Sequence, residues 1–272
     1  MPASTPLRAR RLALTLTAGL IGAALAMPAG AADLLATIKA RGTLKIAMEG
    51  TYPPFNFKDL KTNQLAGYDV EVATLLAQRL GLKPEFITTE WSAILAGLAA
   101  GKFDVVISQV GINPKRAQTF DFSEPYTYSN PQLIVRKNEK ASYASLDALK
   151  GKKLGVGQGS VYEQQAKAVP GIEVKSYPAA PETLQDLAFG RIDAALNDSL
   201  MVAYLLNHSK LPIQAGARVG NVERMGIPVR KGNPQLKAAL NRALAETQAD
   251  GSLKAISVKW FGSDVSRPAA QP

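Results

Sequence analysis

The chain has 272 residues, 46% of them hydrophobic and none of them cysteine. It can bury a sizeable core, but disulfides, thiolate catalysis and cysteine metal sites are excluded. Its formal charge is +10, yet basic residues such as Lys39, Lys61, Lys83, Lys115, Lys137 and Lys140 are dispersed. They form no run of five or six and no stripe interleaved with aromatics, so no nucleic-acid partner is expected.

The first 32 residues read as a cleaved signal peptide. Arg8, Arg10 and Arg11 are a basic start, Leu12 to Met27 an apolar stretch, and Ala29-Gly30-Ala31-Ala32 the small residues a signal peptidase needs. Export by general secretion is expected, since the flanks of Arg10-Arg11 fit the twin-arginine pattern poorly. The remaining residues, about 240 (272 minus 32), suit two lobes of roughly 100 to 120 residues each. None of their apolar runs approaches a membrane helix.

From Leu44 the pattern alternates strand and helix. Strands are predicted at Leu44–Met48, Pro84–Thr88 and Phe103–Ser108. Helices are predicted at Asp69–Leu80, with Asp69 as N-cap and Gly81 as stop, and at Trp91–Ala100. Alternation of this kind argues a parallel sheet. After a break at Pro125–Asn130 and an extended run at Gln132–Arg136, the pattern starts again at Lys153. Ser160–Ala168 is a helix opened by a capping box, Ser160-x-x-Glu163. Then come a strand at Ile172–Ser176, a helix at Glu182–Phe189, a strand at Ile192–Leu196 and a helix at Ser199–Asn207. Met225–Arg230 is extended, and helices follow at Pro234–Ala249 and Leu253–Trp260.

Two stretches echo each other at an offset of 89 residues: G-K-F-D-V-V-I-S-Q (Gly101 to Gln109) and G-R-I-D-A-A-L-N-D (Gly190 to Asp198). A weaker echo joins Leu44–Tyr52 to Lys153–Tyr162. The chain is therefore expected to be α/β, with two similar lobes facing each other across a cleft lined by strand ends, where open α/β sheets hold their ligands. Gln132–Arg136 and Met225–Arg230 are read as paired crossings between lobes, with hinges near Ser129 and Val222. Lobe 1 would be residues 33–129 plus 223–262, lobe 2 residues 130–222, and residues 263–272 a disordered tail.

The strand ends collect Glu49, Tyr52, Trp91, Gln109, Gly111 and Arg116 from the first unit, and Gly159, Ser160 and Asp198 from the second. An α-amino acid suits such a set: a guanidinium and a helix start for its carboxylate, a carboxylate for its ammonium, aromatic walls for its body. Each residue also has a structural reading. Arg116 fits a surface arginine, Asp198 an N-cap for the helix at Ser199, Tyr52 and Trp91 core aromatics, and Glu49 a turn residue. His208, the only histidine, falls at a helix end and is expected to be exposed.

G-Y-D-V-E-V-A (Gly67 to Ala73) resembles the signature of the bacterial extracellular solute-binding proteins for polar amino acids. The resemblance extends through E-G-T-Y-P-P-F (Glu49 to Phe55), P-K-R…F-D-F-S-E-P-Y (Pro114 to Tyr126), G-K-K-L-G-V-G-Q-G-S (Gly151 to Ser160) and K-W-F-G (Lys259 to Gly262). Among subgroups the chain is most similar to cystine-binding proteins, through Glu49–Phe55, Trp91 and Gln109–Ile112. The resemblance implies a type II periplasmic binding fold and a ligand gripped between closing lobes. Arg116 would hold the α-carboxylate, helped by backbone N–H groups of Gly111 and Ser160, and Asp198 the α-ammonium. Tyr52 and Trp91 would sandwich the side chain, with Glu49 and Gln109 at its polar end. The family usually has Ser or Thr where this chain has Gly111. The expected partners are an amino acid, cystine first, and an inner-membrane ABC permease. A monomer in the periplasm is expected, with no cofactor, no metal and no enzymatic activity. A dehydratase acting on prephenate or arogenate on the same scaffold is the alternative, with Glu49 or Glu163 as its acid.

Overall fold

The computed structural model describes residues 33–268; the expected signal peptide and residues 269–272 lie outside them. In chain order the elements are α1 (Leu34–Arg41), β1 (Thr43–Met48), β2 (Thr51–Tyr52), β3 (Asn56–Lys58), β4 (Leu65–Ala66), α2 (Tyr68–Arg79), β5 (Lys83–Thr88), α3 (Trp91–Ala99), β6 (Val105–Val106), β7 (Val110–Gly111), α4 (Pro114–Ala117), β8 (Phe120–Phe122), β9 (Thr127–Ser129) and β10 (Pro131–Arg136). There follow β11 (Lys153–Gly157), α5 (Val161–Lys167), β12 (Glu173–Tyr177), α6 (Ala180–Ala188), β13 (Ala194–Asp198), α7 (Ser199–His208), β14 (Ile213–Arg218), β15 (Glu223–Gly226), β16 (Pro228–Arg230), α8 (Pro234–Ala249) and α9 (Ser252–Phe261).

Two five-stranded sheets carry the fold. The first has the order β5-β1-β6-β16-β8, the second β12-β11-β13-β10-β14. In each, the strand in second position, β1 or β11, lies between two parallel partners, and the fourth position is taken by an antiparallel strand. The sequence echo has a physical cause here. Asp104 accepts from the Lys45 N–H at 2.8 Å and its own N–H donates to Lys45 O at 2.9 Å. Asp193 does the same to Lys153, at 2.7 and 2.9 Å. Each aspartate seats the third strand of its unit beside the first, so the same G-x-x-D spelling recurs where the same junction is built.

The chain is thus a two-lobed α/β protein. The crossings differ from expectation: of Met225–Arg230, the segment Pro228–Arg230 lies within the first sheet as β16, between β6 and β8. β15 pairs antiparallel with β9, Glu223 opposite Ser129 and Met225 opposite Thr127, whereas Gln132–Arg136 belongs to the second sheet, between β13 and β14. An extended apolar run reads the same in a crossing and in a buried strand, and only its partners distinguish them.

Several motifs bind the first sheet's flank together. Gly67, the N-cap of α2, has φ 126°, and a Cβ there would lie 2.2 Å from Phe55 O. No other residue fits that approach. Glu71, one turn into α2, accepts from Lys259 Nζ at 2.6 Å and from Trp260 Nε1 at 3.1 Å, while Phe261 packs on Tyr68. G-Y-D-V-E and K-W-F-G, far apart in sequence, are one contact. Asp69 is not the N-cap: it is fully buried in the first turn. The expected tail is also corrected. Val265 donates to Ser257 Oγ and accepts from the Tyr128 N–H, both at 2.8 Å, and Ser266 is buried beside it. Residues 264–266 therefore cover the base of β9. Among the described residues no helix is long and apolar enough to cross a membrane.

Candidate functional site

Where the two sheets present their strand ends, a cavity with about 480 Å³ of empty volume opens. It is lined from one side by Glu49, Tyr52, Trp91, Ser108, Gln109, Gly111 and Arg116, and from the other by Gly157, Ser160, Val161, Tyr162, Ala179, Ala180 and Asn197. Seven of the nine residues singled out in the sequence are in this lining. Gly159 and Asp198 are not.

Arg116 sits on the short helix α4, which Asn113 starts by accepting the Arg116 N–H at 2.8 Å and Pro114 stiffens at its first position. The side chain is 6% exposed. Its guanidinium donates to Gly111 O at 2.7 Å and to Gly159 O, from the facing lobe, at 2.9 Å. It also lies over the Trp91 ring, 5.5 Å from the centroid. Arg116 takes part in none of the ion pairs among the described residues. Burial consequently pushes its pKa down to about 10, the Glu223 carboxylate only partly opposing the shift. Two of five guanidinium N–H groups are spent on carbonyls; the rest are a desolvated cation's unfilled capacity for an anion.

The acidic side of the cavity is built differently. Glu49 follows β1 and is buried; loss of water raises its pKa to about 7, against a hydrogen bond from Thr51 Oγ1 at 3.2 Å and one from the Ala180 backbone. Its own N–H is fixed by Ser108 Oγ at 3.2 Å. Gln109 has the left-handed φ of 52°, rare for a residue with a side chain. Tyr126 Oη holds it there by accepting its N–H at 3.1 Å, and its Nε2 donates to Asp69 Oδ1 at 2.7 Å. Because Asp69 must be given a donor, the amide orientation is settled, and Gln109 Oε1 is left buried without a partner. Asp69 also accepts from Asn56 Nδ2 at 2.7 Å and Tyr126 Oη at 2.9 Å. Even so, complete burial raises its pKa to about 6.

Across the cleft, Ser160 is the N-cap foreseen in the sequence, its Oγ accepting the Glu163 N–H at 3.0 Å. Its own N–H is taken by Gly157 O at 3.1 Å. Glu163 reaches back to the Gly159 N–H at 2.6 Å, one residue earlier than the expected capping box, and also accepts from Ser176 Oγ and Lys167 Nζ. With its oxygens engaged and no place in the lining, Glu163 is not available as a catalytic acid. The open N–H groups of α5 are therefore those of Val161 and Tyr162, first-turn positions with no intrahelical acceptor.

Asp198 caps α7 through the Leu200 N–H at 2.8 Å, as one of its two sequence readings had it, and is completely buried. It also accepts from Ser129 Oγ and from Tyr162 Oη, the latter at 3.3 Å. Burial raises its pKa to about 6. The cavity wall itself is Asn197, whose Oδ1 accepts from Tyr52 Oη at 2.6 Å, so Asp198 lies directly behind Tyr162 and Asn197. Neighbouring strand residues point to opposite faces, which sequence pattern alone did not assign here. Ser108, Tyr162, Ala179 and Ala180 were also missed. The Ala-Pro pair at 180–181 was a usable sign, since Pro in the first turn marks a helix start. His208 is exposed and stacked on Tyr204, remote from this chemistry.

The chain matches the bacterial extracellular solute-binding proteins, family 3, over residues 44–263. It is 42% identical to the L-cystine-binding protein TcyJ of Escherichia coli (strain K12) over 235 residues, 86% of this chain and 88% of that one. It is 38% identical to the L-cystine-binding protein TcyA of Bacillus subtilis (strain 168) over 236 residues, 86% and 87% of the two chains. Among solved structures, an ancestral arginine-binding protein bound to glutamine superposes with a TM-score of 0.77 at 39% identity, covering 82% of this chain and 99% of that one.

Proposed function

Since the chain belongs to the bacterial extracellular solute-binding proteins, family 3, we propose that it is the periplasmic solute-binding component of an ABC-type amino acid importer. It binds an L-amino acid, cystine first, between its lobes and presents it to an inner-membrane permease. The observation that carries this reading is Arg116: a buried guanidinium on the cavity wall, in no ion pair among the described residues, fastened to backbone carbonyls of both lobes. A ligand carboxylate supplies the anion this cation lacks, and the open N–H groups of Val161 and Tyr162 add donors beside it.

The ligand ammonium belongs at the opposite, electronegative side. There Glu49 and Gln109 line the cavity, Gln109 with a buried, unpartnered Oε1, and Asp198 acts from behind Tyr162 and Asn197. Tyr52 and Trp91 wall the ligand body. Both charged ends of one zwitterion are then needed to hold the lobes together, because a ligand shifts a conformational equilibrium only by its differential affinity. We assign lobe 1 to residues 33–129 plus 223–262 and lobe 2 to 130–222, hinged at β9 and β15, and a single chain as the working unit. The cystine assignment draws on the names of the two relatives. Calorimetric titration of the mature protein with cystine, arginine, glutamine, glutamate and histidine tests both levels. Tightest binding of cystine is expected. A different preferred amino acid overturns the choice of ligand, and no binding by any of them overturns the function.

A further inference from the structure

Gly111 is not needed by its own backbone. It lies in β7, is absent from the glycines with positive φ, and could adopt its conformation with a side chain. What a side chain would meet is the other lobe. A Cβ at residue 111 would lie 2.7 Å from Val161 Cγ1 and 3.5 Å from Cγ2. Val161 is the first residue of α5, buried and packed in the core of the second lobe. Its β-branched side chain has one strongly preferred rotamer in a helix, so it cannot swing aside cheaply. The contact sits over the Arg116 guanidinium, whose nearest nitrogen would be 3.6 Å from the same Cβ.

We propose that Gly111 and Val161 are a matched steric pair across the cleft, a knob and its hollow, that sets how far the lobes close over the Arg116 end of the ligand. Any residue larger than glycine at 111 props the cleft open while Val161 is present. The Ser or Thr that the family resemblance leads one to expect at 111 carries the same Cβ. The bonds across the cleft then lengthen together: Arg116 to Gly159 O, Tyr52 to Asn197, and the Ser92 N–H to Pro178 O, the last at 3.3 Å. Gly111 is on this reading a positioning residue, acting through the fit of one lobe to the other. The proposal rests on the binding function proposed above, and its test separates the two.

G111A, V161A and G111A/V161A are made in the mature chain. Affinity for the preferred amino acid is measured by calorimetry. Closure is measured without ligand, from the rate of disulfide trapping under copper-phenanthroline in the same variants carrying S92C and P178C; the natural chain has no cysteine to interfere. G111A is expected to weaken binding and slow trapping by about tenfold or more, and the double variant to restore both to within about threefold of the parent. Unchanged trapping in G111A, or a double variant as impaired as G111A, overturns the pairing. If trapping follows the expected pattern but the parent binds no amino acid, the steric pair stands and the amino acid reading falls.

Discussion

Replacing Arg116 by alanine separates two quantities that ordinarily move together. In the free protein the guanidinium is costly: burial lowers its pKa from the ordinary arginine value to about 10, which corresponds to a penalty of about 3 kcal/mol at 1.36 kcal/mol per unit. Its two hydrogen bonds to Gly111 O and Gly159 O return roughly 1 to 3 kcal/mol each, as bonds from a charged donor. Removal should therefore leave the ligand-free stability within about 2 kcal/mol of the parent, because the terms offset. Binding has no such offset. Taking away one partner of a buried, hydrogen-bonded charge pair costs about 2–5 kcal/mol. At about 1.4 kcal/mol per decade that is roughly 30-fold to several thousand-fold in Kd, with about 100-fold or more expected where both lobes lose their common anchor. Arg116→Lys restores the charge but not the fork, and should recover only part of the loss. Urea unfolding of the free protein and calorimetric titration with the preferred amino acid read the two quantities. A Kd for Arg116→Ala within about threefold of the parent would refute the carboxylate assignment.

Three further outcomes follow from the geometry. Tyr52→Phe removes the bond to Asn197 across the cleft and should weaken binding about 2- to 12-fold; equal calorimetric affinity would contradict it. Glu49 has its folded pKa raised from 4.5 to about 7, so the stability it contributes is fully present below pH 4.5 and is lost as pH rises through 7. Asp69 and Asp198, with pKa values raised to about 6, act with the same sign at lower pH. Glu49→Gln should therefore flatten the fall in stability between about pH 4.5 and pH 7, by up to about 3 kcal/mol in all, and parallel urea-unfolding profiles for parent and variant would contradict this. Asp69→Asn puts an amide NH2 among the donors of Asn56, Gln109 and Tyr126. It should cost about 1–3 kcal/mol at pH 7 and more at pH 5, because the parent gains stability as pH falls through 6 and the amide does not; an unshifted urea midpoint would contradict it.

Much of the fold could be read from residues because it is written in local rules. The repeated G-x-x-D marks a strand junction held by Asp104 and Asp193. Ser160 at α5 is a helix start, and Pro234–Ala249 is a helix to the residue. What escaped was pairing between distant segments. The run at Gln132–Arg136 was apolar enough for either a crossing or a sheet interior. Asp69 looked like a cap because acidic residues at helix starts usually are, and nothing local announces the amide and phenol donors that converge on it from Asn56, Gln109 and Tyr126. In the site, charged and aromatic residues stood out in the sequence, whereas much of the second wall is Gly157, Val161, Ala179, Ala180 and Asn197. Small side chains there leave room for a ligand, and room has no sequence signal. Asp198 illustrates the limit most sharply: one step along β13 exchanges the cavity wall for the layer behind it.

The central claim is that one zwitterion is gripped at its carboxylate by Arg116 and at its ammonium by the acidic side of the cavity. Calorimetric titration with the preferred amino acid, its N-acetyl derivative and its methyl ester tests it most directly. The free amino acid should bind, and blocking either end should weaken binding by about 100-fold or more. Equal affinity for the free and blocked compounds would contradict the claim.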